Sequence, residues 1–244
     1  MPMAARAIFI TGTDTDAGKT LVSCAILKAL SRRGLRVAAM KPVETGCAEK
    51  DGVLVGTDCI KLARAAGGAQ SPSDVAAYLL RAPAAPLVAA EAEGTRIDKD
   101  VVLARFREIA ASCDFLLVEG AGGLMVPMAD GYTSCDLARE LAIPVVVVIA
   151  SRLGCINHAL LTLDALARDG IPVAGYVLNE ISAGGEYELA LKTNRDIIGR
   201  FTPARDLGAM PFIDALLRCD LDYLADRAEG CLDLDYFTAG TSAS

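Results

Sequence analysis

Short runs of aliphatic and β-branched residues alternate along the chain with longer stretches whose apolar positions recur at helical spacing. Ala7 to Thr11, Arg36 to Lys41, Phe115 to Glu119, Val145 to Ala150 and Val173 to Leu178 read as strands. Lys19 to Arg33 repeats Leu21, Val22, Ala25, Leu27, Ala29 and Leu30 and stops at Gly34, a natural helix terminator; Ile156 to Asp169 stops in the same way at Gly170. Lys99 to Ala111 and Ser134 to Leu141 read as two further helices. The strands are apolar at successive rather than alternate positions, so both of their faces are buried. This predicts a doubly wound α/β fold, a mostly parallel sheet with helices on both faces.

A chain of 244 residues, 53% apolar, can bury one sizeable core, and residues 1–237 are expected to form a single domain with a frayed tail over 238–244. Pro83-Ala84-Ala85-Pro86 reads as a rigid turn before a helix, and Ser182 to Gly185 as a surface loop. The 24 basic and 31 acidic residues give a net charge of -7 without any Lys/Arg run, which leaves nucleic acid without an electrostatic footprint. Eight cysteines never fall closer than the twelve positions between Cys47 and Cys59, so no CxxC knuckle exists and most are expected to be buried thiols. The opening Met-Pro-Met-Ala-Ala-Arg leads straight into a strand, and the apolar run Ile143 to Ala150 is far short of the roughly 20 residues that span a bilayer. A reduced, cytoplasmic protein without membrane attachment is expected.

Chemistry concentrates after the first strand. Gly12-Thr13-Asp14-Thr15-Asp16-Ala17-Gly18-Lys19-Thr20 leads from that strand into a helix whose free N–H groups favour an anion. Gly18-Lys19-Thr20 supplies backbone approach to phosphate, an ammonium for the β- and γ-oxygens and a hydroxyl for Mg²⁺. The opening glycine of the usual GxxxxGK[ST] pattern is replaced by Thr13. The loop holds no lysine before Lys19, whereas the deviant P-loop of partitioning ATPases carries a second one.

The second strand ends at Lys41-Pro42-Val43-Glu44-Thr45-Gly46, where open α/β sheets collect ligands, so Lys41 is expected in the same crevice. Its bland alternative is a solvated strand-end lysine. Asp58 opens a helix-like stretch, where its ordinary role is an N-cap. Glu119 ends an apolar strand and leads into Gly120-Ala121-Gly122-Gly123, in the manner of a Walker B acid. Thr20, Asp58 and Glu119 together offer hard oxygens suited to Mg²⁺ rather than zinc.

Taken in order, Gly-Thr-Asp-Thr-Asp-Ala-Gly-Lys-Thr, Lys-Pro-Val-Glu-Thr-Gly, Val-Glu-Gly-Ala-Gly-Gly and Leu-Gly-Cys-Ile-Asn-His-Ala make the chain resemble the dethiobiotin synthetases, from Ile8 to about Ile213. The resemblance implies a P-loop NTPase-like fold and an ATP- and Mg²⁺-dependent enzyme. Such an enzyme carboxylates one amine of 7,8-diaminononanoate with CO₂ or bicarbonate, phosphorylates the carbamate and closes a cyclic urea. It implies catalytic roles for Lys19, Lys41 and Thr15, with Thr15 and Thr45 holding the carbamate. The nucleotide would meet Asp16, Ala17, Gly18, Lys19, Thr20 and Leu21. Further contacts would come from Asp58, Glu119, Gly120, Ala121 and Gly122, and the base would be read by Asn179 beside Pro211, Phe212 and Ile213. The helix start at Gly154, Cys155, Ile156 and Asn157 would receive the substrate carboxylate across a homodimer interface. His158 has no place in this chemistry.

Two other readings use the same P-loop. A nucleotide switch binds partners without making product and calls for a basic or amphipathic exposed segment, which the sequence does not show. A small-molecule kinase would leave phosphate on its product instead of releasing it.

Overall fold

The computed structural model describes residues 6–183 and 188–239. The expected tail beyond Ala239 lies outside the described residues, as do the last two positions of the loop expected over Ser182 to Gly185. In chain order the elements begin β1 (Arg6–Gly12), α1 (Lys19–Arg32), β2 (Val37–Glu44), β3 (Ala48–Lys50), β4 (Val53–Val55), α2 (Thr57–Ala65), α3 (Pro72–Val75) and β5 (Ala76–Leu79). They continue α4 (Pro86–Ala92), α5 (Lys99–Ala110), β6 (Phe115–Gly123), β7 (Pro127–Ala129), β8 (Tyr132–Thr133), α6 (Ser134–Leu141), β9 (Val145–Ser151) and α7 (Cys155–Arg168). The last are β10 (Val173–Glu180), α8 (Glu188–Phe201), β11 (Asp206–Met210), α9 (Leu221–Cys231) and α10 (Asp235–Thr238).

Seven strands form one sheet in the order β11-β10-β9-β1-β6-β2-β5, and each neighbouring pair is parallel. The doubly wound expectation holds because the strands bury both faces. Ile8 and Ile10 of β1, with Val146 and Val148 of β9, join the core on the side of α1, α2 and α9. Their neighbours Ala7, Phe9, Val145 and Val147 join the core on the other side, with residues of α4 to α8. A continuous apolar run is thus split residue by residue between two cores.

The strands expected from the sequence all form, and each runs at least one residue further than its apolar pattern. β6 runs on from Glu119 to Gly123, and β2 continues through Lys41 and Pro42 to Glu44. Over Val37–Met40 this strand pairs with β6, and from Lys41 onward with β5. Proline lacks an N–H and is normally excluded from central strands, but here it stands where the strand changes partner. The edge strands β5 and β11 carry no strong alternating signal, and they form because the sheet offers them open edges.

The C-terminal segment, beyond the resemblance that ends at about Ile213, is part of the core. Helix α9 packs Leu224, Ala225 and Ala228 against the face of α1. Arg32 of α1 meets Asp222 and Asp226 at 2.8 and 2.6 Å. Phe237 is fully buried and meets Phe115 edge-on at 6.1 Å. Six of the eight cysteines are buried and none is paired, as expected for thiols serving as small apolar side chains. Among the described residues no helix is long and apolar enough to cross a membrane.

Phe237→Ala should lower the unfolding free energy by about 3–5 kcal/mol, since it empties a fully buried aromatic site. Urea denaturation followed by circular dichroism measures this; a loss within error would show that the C-terminal helix does not seal the core.

Candidate functional site around the P-loop

Parallel strands deliver their carboxyl ends to one side of the sheet, and β1 lies at its middle, with β6 on one flank and β9 on the other. The loop leaving β1 turns back sharply to enter α1. Gly18 has φ 87°, a backbone state open to glycine, and an added Cβ there would fall 2.0 Å from Nδ2 of Asn179. Helix α1 has no side-chain cap at this end, which leaves its first N–H groups directed at the loop.

Beside the loop opens a cavity of about 790 Å³. It is lined by Thr15, Asp16, Gly18, Lys19, Thr20 and Leu21 of the loop and helix, and by Lys41, Thr45, Asp58, Ala121, Gly122, Asn179 and Ile213. Residues from β2, α2, β6 and β10, far apart in the chain, converge here with the loop. Several expected residues stand elsewhere. Ala17 is buried beneath the loop, Gly120 packs against Phe9, and Pro211 and Phe212 do not line the cavity. Gly154, Cys155, Ile156 and Asn157 open α7 away from it. Their helix start carries no side-chain cap, and Gly154 adopts φ 89°. The preceding Arg152 meets Asp14 of the P-loop at 3.0 Å, which ties the two regions together.

The centre of the site is an ion cluster. Register aligns Met40 of β2 with Val118 of β6, so the next residues, Lys41 and Glu119, come side by side. Lys41 Nζ donates to Glu119 Oε1 at 2.6 Å and to Asp58 Oδ2 at 3.1 Å. Thr20 Oγ1 donates to the same Glu119 Oε1 at 2.8 Å. Lys41 is 5% exposed and Glu119 is fully buried, so the pairing takes place with little water. Burial opposes the Lys41 charge, but Glu119 and Asp58 outweigh it and hold its pKa above the ordinary lysine value. For Asp58 burial again opposes ionisation, and Lys41 outweighs it, keeping the carboxyl below its usual range. Lys41 is therefore a buried ammonium with two carboxylate partners, not the solvated strand-end lysine that was its alternative.

Lys19 is in a different state. Its Nζ donates to the backbone carbonyls of Asp14 and Thr15, each at 3.0 Å, with no carboxylate in direct contact. Burial and the nearby Lys41 pull its pKa down to about 8. Loop carbonyls thus hold the ammonium where phosphate oxygens would receive it.

Asp58 does not cap α2. The cap position is Gly56, and Asp58 lies inside the first turn with its side chain free for Lys41. The capping acceptor comes from Glu44 at the end of β2, whose carboxylate takes the N–H groups of Asp58 and Cys59 at 2.8 and 2.9 Å. Sequence reading missed Glu44 as a site residue, because its two partners lie 14 and 15 positions away on another element. Asn179 has a structural contact as well: its Nδ2 donates to the Ala17 carbonyl at 3.0 Å, bracing the loop from β10.

The donor set suits a small hard cation. Glu119 Oε2 is buried without a hydrogen-bond partner, and the Asp58 carboxylate and Thr20 hydroxyl stand on the same cluster. Mg²⁺ takes one or two carboxylates and keeps several waters, so it does not need the larger acidic cage that is absent among the described residues.

A family model described as AAA domain matches residues 6–218. Solved structures with the same fold include a ParA family ATPase from Chlorobium tepidum TLS, 15% identical with a TM-score of 0.53, covering 93% of this chain and 92% of that one. The MinC:MinD cell division protein complex of Aquifex aeolicus gives 17% identity and a TM-score of 0.54, over 91% and 86% of the two chains. The septum site-determining protein MinD complexed with Mg-ADP from Pyrococcus horikoshii OT3 gives 16% and 0.52, over 97% and 90%.

Two outcomes follow from the geometry. Lys41→Ala leaves Glu119 and Asp58 without their cation and should cost about 3–5 kcal/mol in urea denaturation, an effect that a solvated lysine would not produce. For Lys19, a bound triphosphate favours the ammonium that the free protein gives up near pH 8, so nucleotide binding above that pH must take up a proton. Apparent affinity should then fall towards about tenfold per pH unit, and calorimetry in buffers of different ionisation enthalpy should detect proton uptake at about pH 9 but not at about pH 7.

Proposed function

The chain belongs to the AAA-domain family, and on that footing we propose that it is a dethiobiotin synthetase. In this reading it uses ATP and Mg²⁺ to carboxylate 7,8-diaminononanoate and close the cyclic urea, releasing ADP and phosphate. The observation that carries the reading is the second lysine. Lys41 reaches the phosphate loop's cavity from strand β2 and is held by Glu119 and Asp58. A partitioning ATPase draws its second lysine from the loop itself, and this loop has only Lys19.

One substrate amine adds to CO₂ with loss of a proton, giving a carbamate. A carbamate oxygen then attacks the γ-phosphorus of ATP while ADP leaves. The other amine attacks the carbamate carbon, loses a proton, expels phosphate and closes the ring. The chain's part is positioning and charge neutralisation. Lys19 receives the β- and γ-phosphate oxygens, released from the loop carbonyls that hold it in the free protein. Lys41 balances the negative charge that gathers between carbamate and phosphate. Thr15 and Thr45, both lining the cavity, hold the carbamate through their hydroxyls. Thr20, Asp58 and Glu119 would hold Mg²⁺, which when bound neutralises phosphate charge. The uncapped start of α7 would receive the substrate carboxylate from a second copy of the chain in a homodimer.

Mass spectrometry of the protein with 7,8-diaminononanoate, bicarbonate and MgATP, and with each left out in turn, tests the reading. Dethiobiotin should form only in the complete mixture, and Lys41→Ala, assayed where it remains folded, should form none. ATP turnover that ignores the diamine and yields no ureido product would assign a nucleotide switch, and a phosphorylated product a kinase.

A further inference from the structure

The mechanism above gives Glu44 no role, although it is a buried carboxylate beside the reacting groups. Its backbone is fixed by the sheet: Glu44 pairs with Leu79, and its carbonyl accepts from Leu80 N at 2.9 Å. Its side chain spans to α2. Oε1 accepts the N–H of Asp58 at 2.8 Å and Oε2 that of Cys59 at 2.9 Å, the second and third residues of the helix. Those are the donors that a cap side chain normally satisfies, and the cap residue here is Gly56, which has none. The glycine is required by the arrangement, since an added Cβ would lie 2.2 Å from Glu44 Oε2.

We propose that Glu44 is a positioning residue, capping α2 from the neighbouring strand and so setting where Asp58 stands relative to Lys41 and Mg²⁺. Strand β2 grips the first turn of α2 twice: Glu44 holds the backbone of Asp58, and Lys41, three positions earlier, holds its carboxylate. Two charge-assisted contacts to backbone N–H groups and one to the side chain leave Asp58 little freedom. A negative group at the helix start also opposes the helix dipole favourably. Both carboxylate oxygens of Glu44 are engaged by N–H donors, which suits support of a ligand and not ligation itself. The inference rests on the reading of Thr20, Asp58 and Glu119 as the Mg²⁺ donors, but not on the identity of the product.

The test uses the full chain and two readouts that do not depend on turnover. The first is hydrogen exchange at the Asp58 and Cys59 amides of the ligand-free protein. The second is binding of a fluorescent ADP analogue with and without Mg²⁺. Glu44→Ala should speed exchange at those two amides and weaken the Mg²⁺-dependent part of binding about 10- to 100-fold, with metal-free binding little changed. Gly56→Ser alone should also impair binding, because its Cβ displaces Glu44. The pair Glu44→Ala with Gly56→Ser should recover both readouts, because a serine in the cap position can accept the same N–H groups once Glu44 is gone.

Unchanged Mg²⁺ dependence in Glu44→Ala would overturn the proposal. So would a double variant whose amides regain protection while Mg²⁺-dependent binding stays lost, since Glu44 would then act on the ligand directly. Should Glu44→Ala fail to fold, Glu44→Gln serves instead: it keeps the volume and one acceptor, and an intermediate loss is expected, whereas full retention would reject the role. If the product assay yields no dethiobiotin and these readouts still move as described, the positioning role stands and only the assigned reaction falls.

Discussion

Lys41 placed between Glu119 and Asp58 is the interaction on which the site depends. Burial withdraws water from the Lys41 ammonium, and the two carboxylates supply the countercharge that holds its proton. Thr20 joins them through the oxygen of Glu119 that Lys41 also uses. The cluster therefore connects β2, α2, β6 and the start of α1. The second oxygen of Glu119 is buried without a hydrogen-bond partner.

The sheet makes this geometry possible. Because β6 lies between β1 and β2, the acid in the middle of β6 comes next to the lysine of β2 and opposite the P-loop of β1. β2 then leaves β6 and pairs with β5, which carries Glu44 out over the start of α2. On the far side, β10 brings Asn179 under the loop, and the close approach to Gly18 leaves no room for a side chain there. The loop is thus braced from strands on both sides of β1, and its conformation does not rest on its own residues alone.

The fold is shared with ParA and MinD proteins at 15 to 17% identity, a level at which backbone layout persists while side-chain chemistry diverges. In such a group, function lies in which side chains the common strand ends present. Here the strand ends and loop present a lysine on β2, hydroxyls at Thr15 and Thr45, and a single loop lysine. The C-terminal helices add a layer over α1 through Leu224, Ala225 and Phe237. They stabilise the helix that carries Lys19 without contributing to the ion cluster itself.

By itself the sequence determined the layers and the phosphate loop. Short apolar runs rich in β-branched residues read as strands buried on both faces, glycine endings mark helix termini, and Gly18-Lys19-Thr20 after a strand carries its chemistry within a few adjacent residues. These are local properties, set by burial and backbone freedom over short spans. It also grouped Thr20, Asp58 and Glu119 as oxygen donors and put Lys41 in the same crevice, with a solvated lysine and a helix cap as the plainer readings of Lys41 and Asp58. Only the tertiary structure decided that Lys41 joins the two carboxylates, that β2 runs on through Pro42, and that Glu44 caps the helix in place of Asp58. Each of those depends on strand order and register, which bring together residues 17, 78 and 14 positions apart. No local pattern encodes such distances, because the energy that fixes them comes from packing the sheet as a whole.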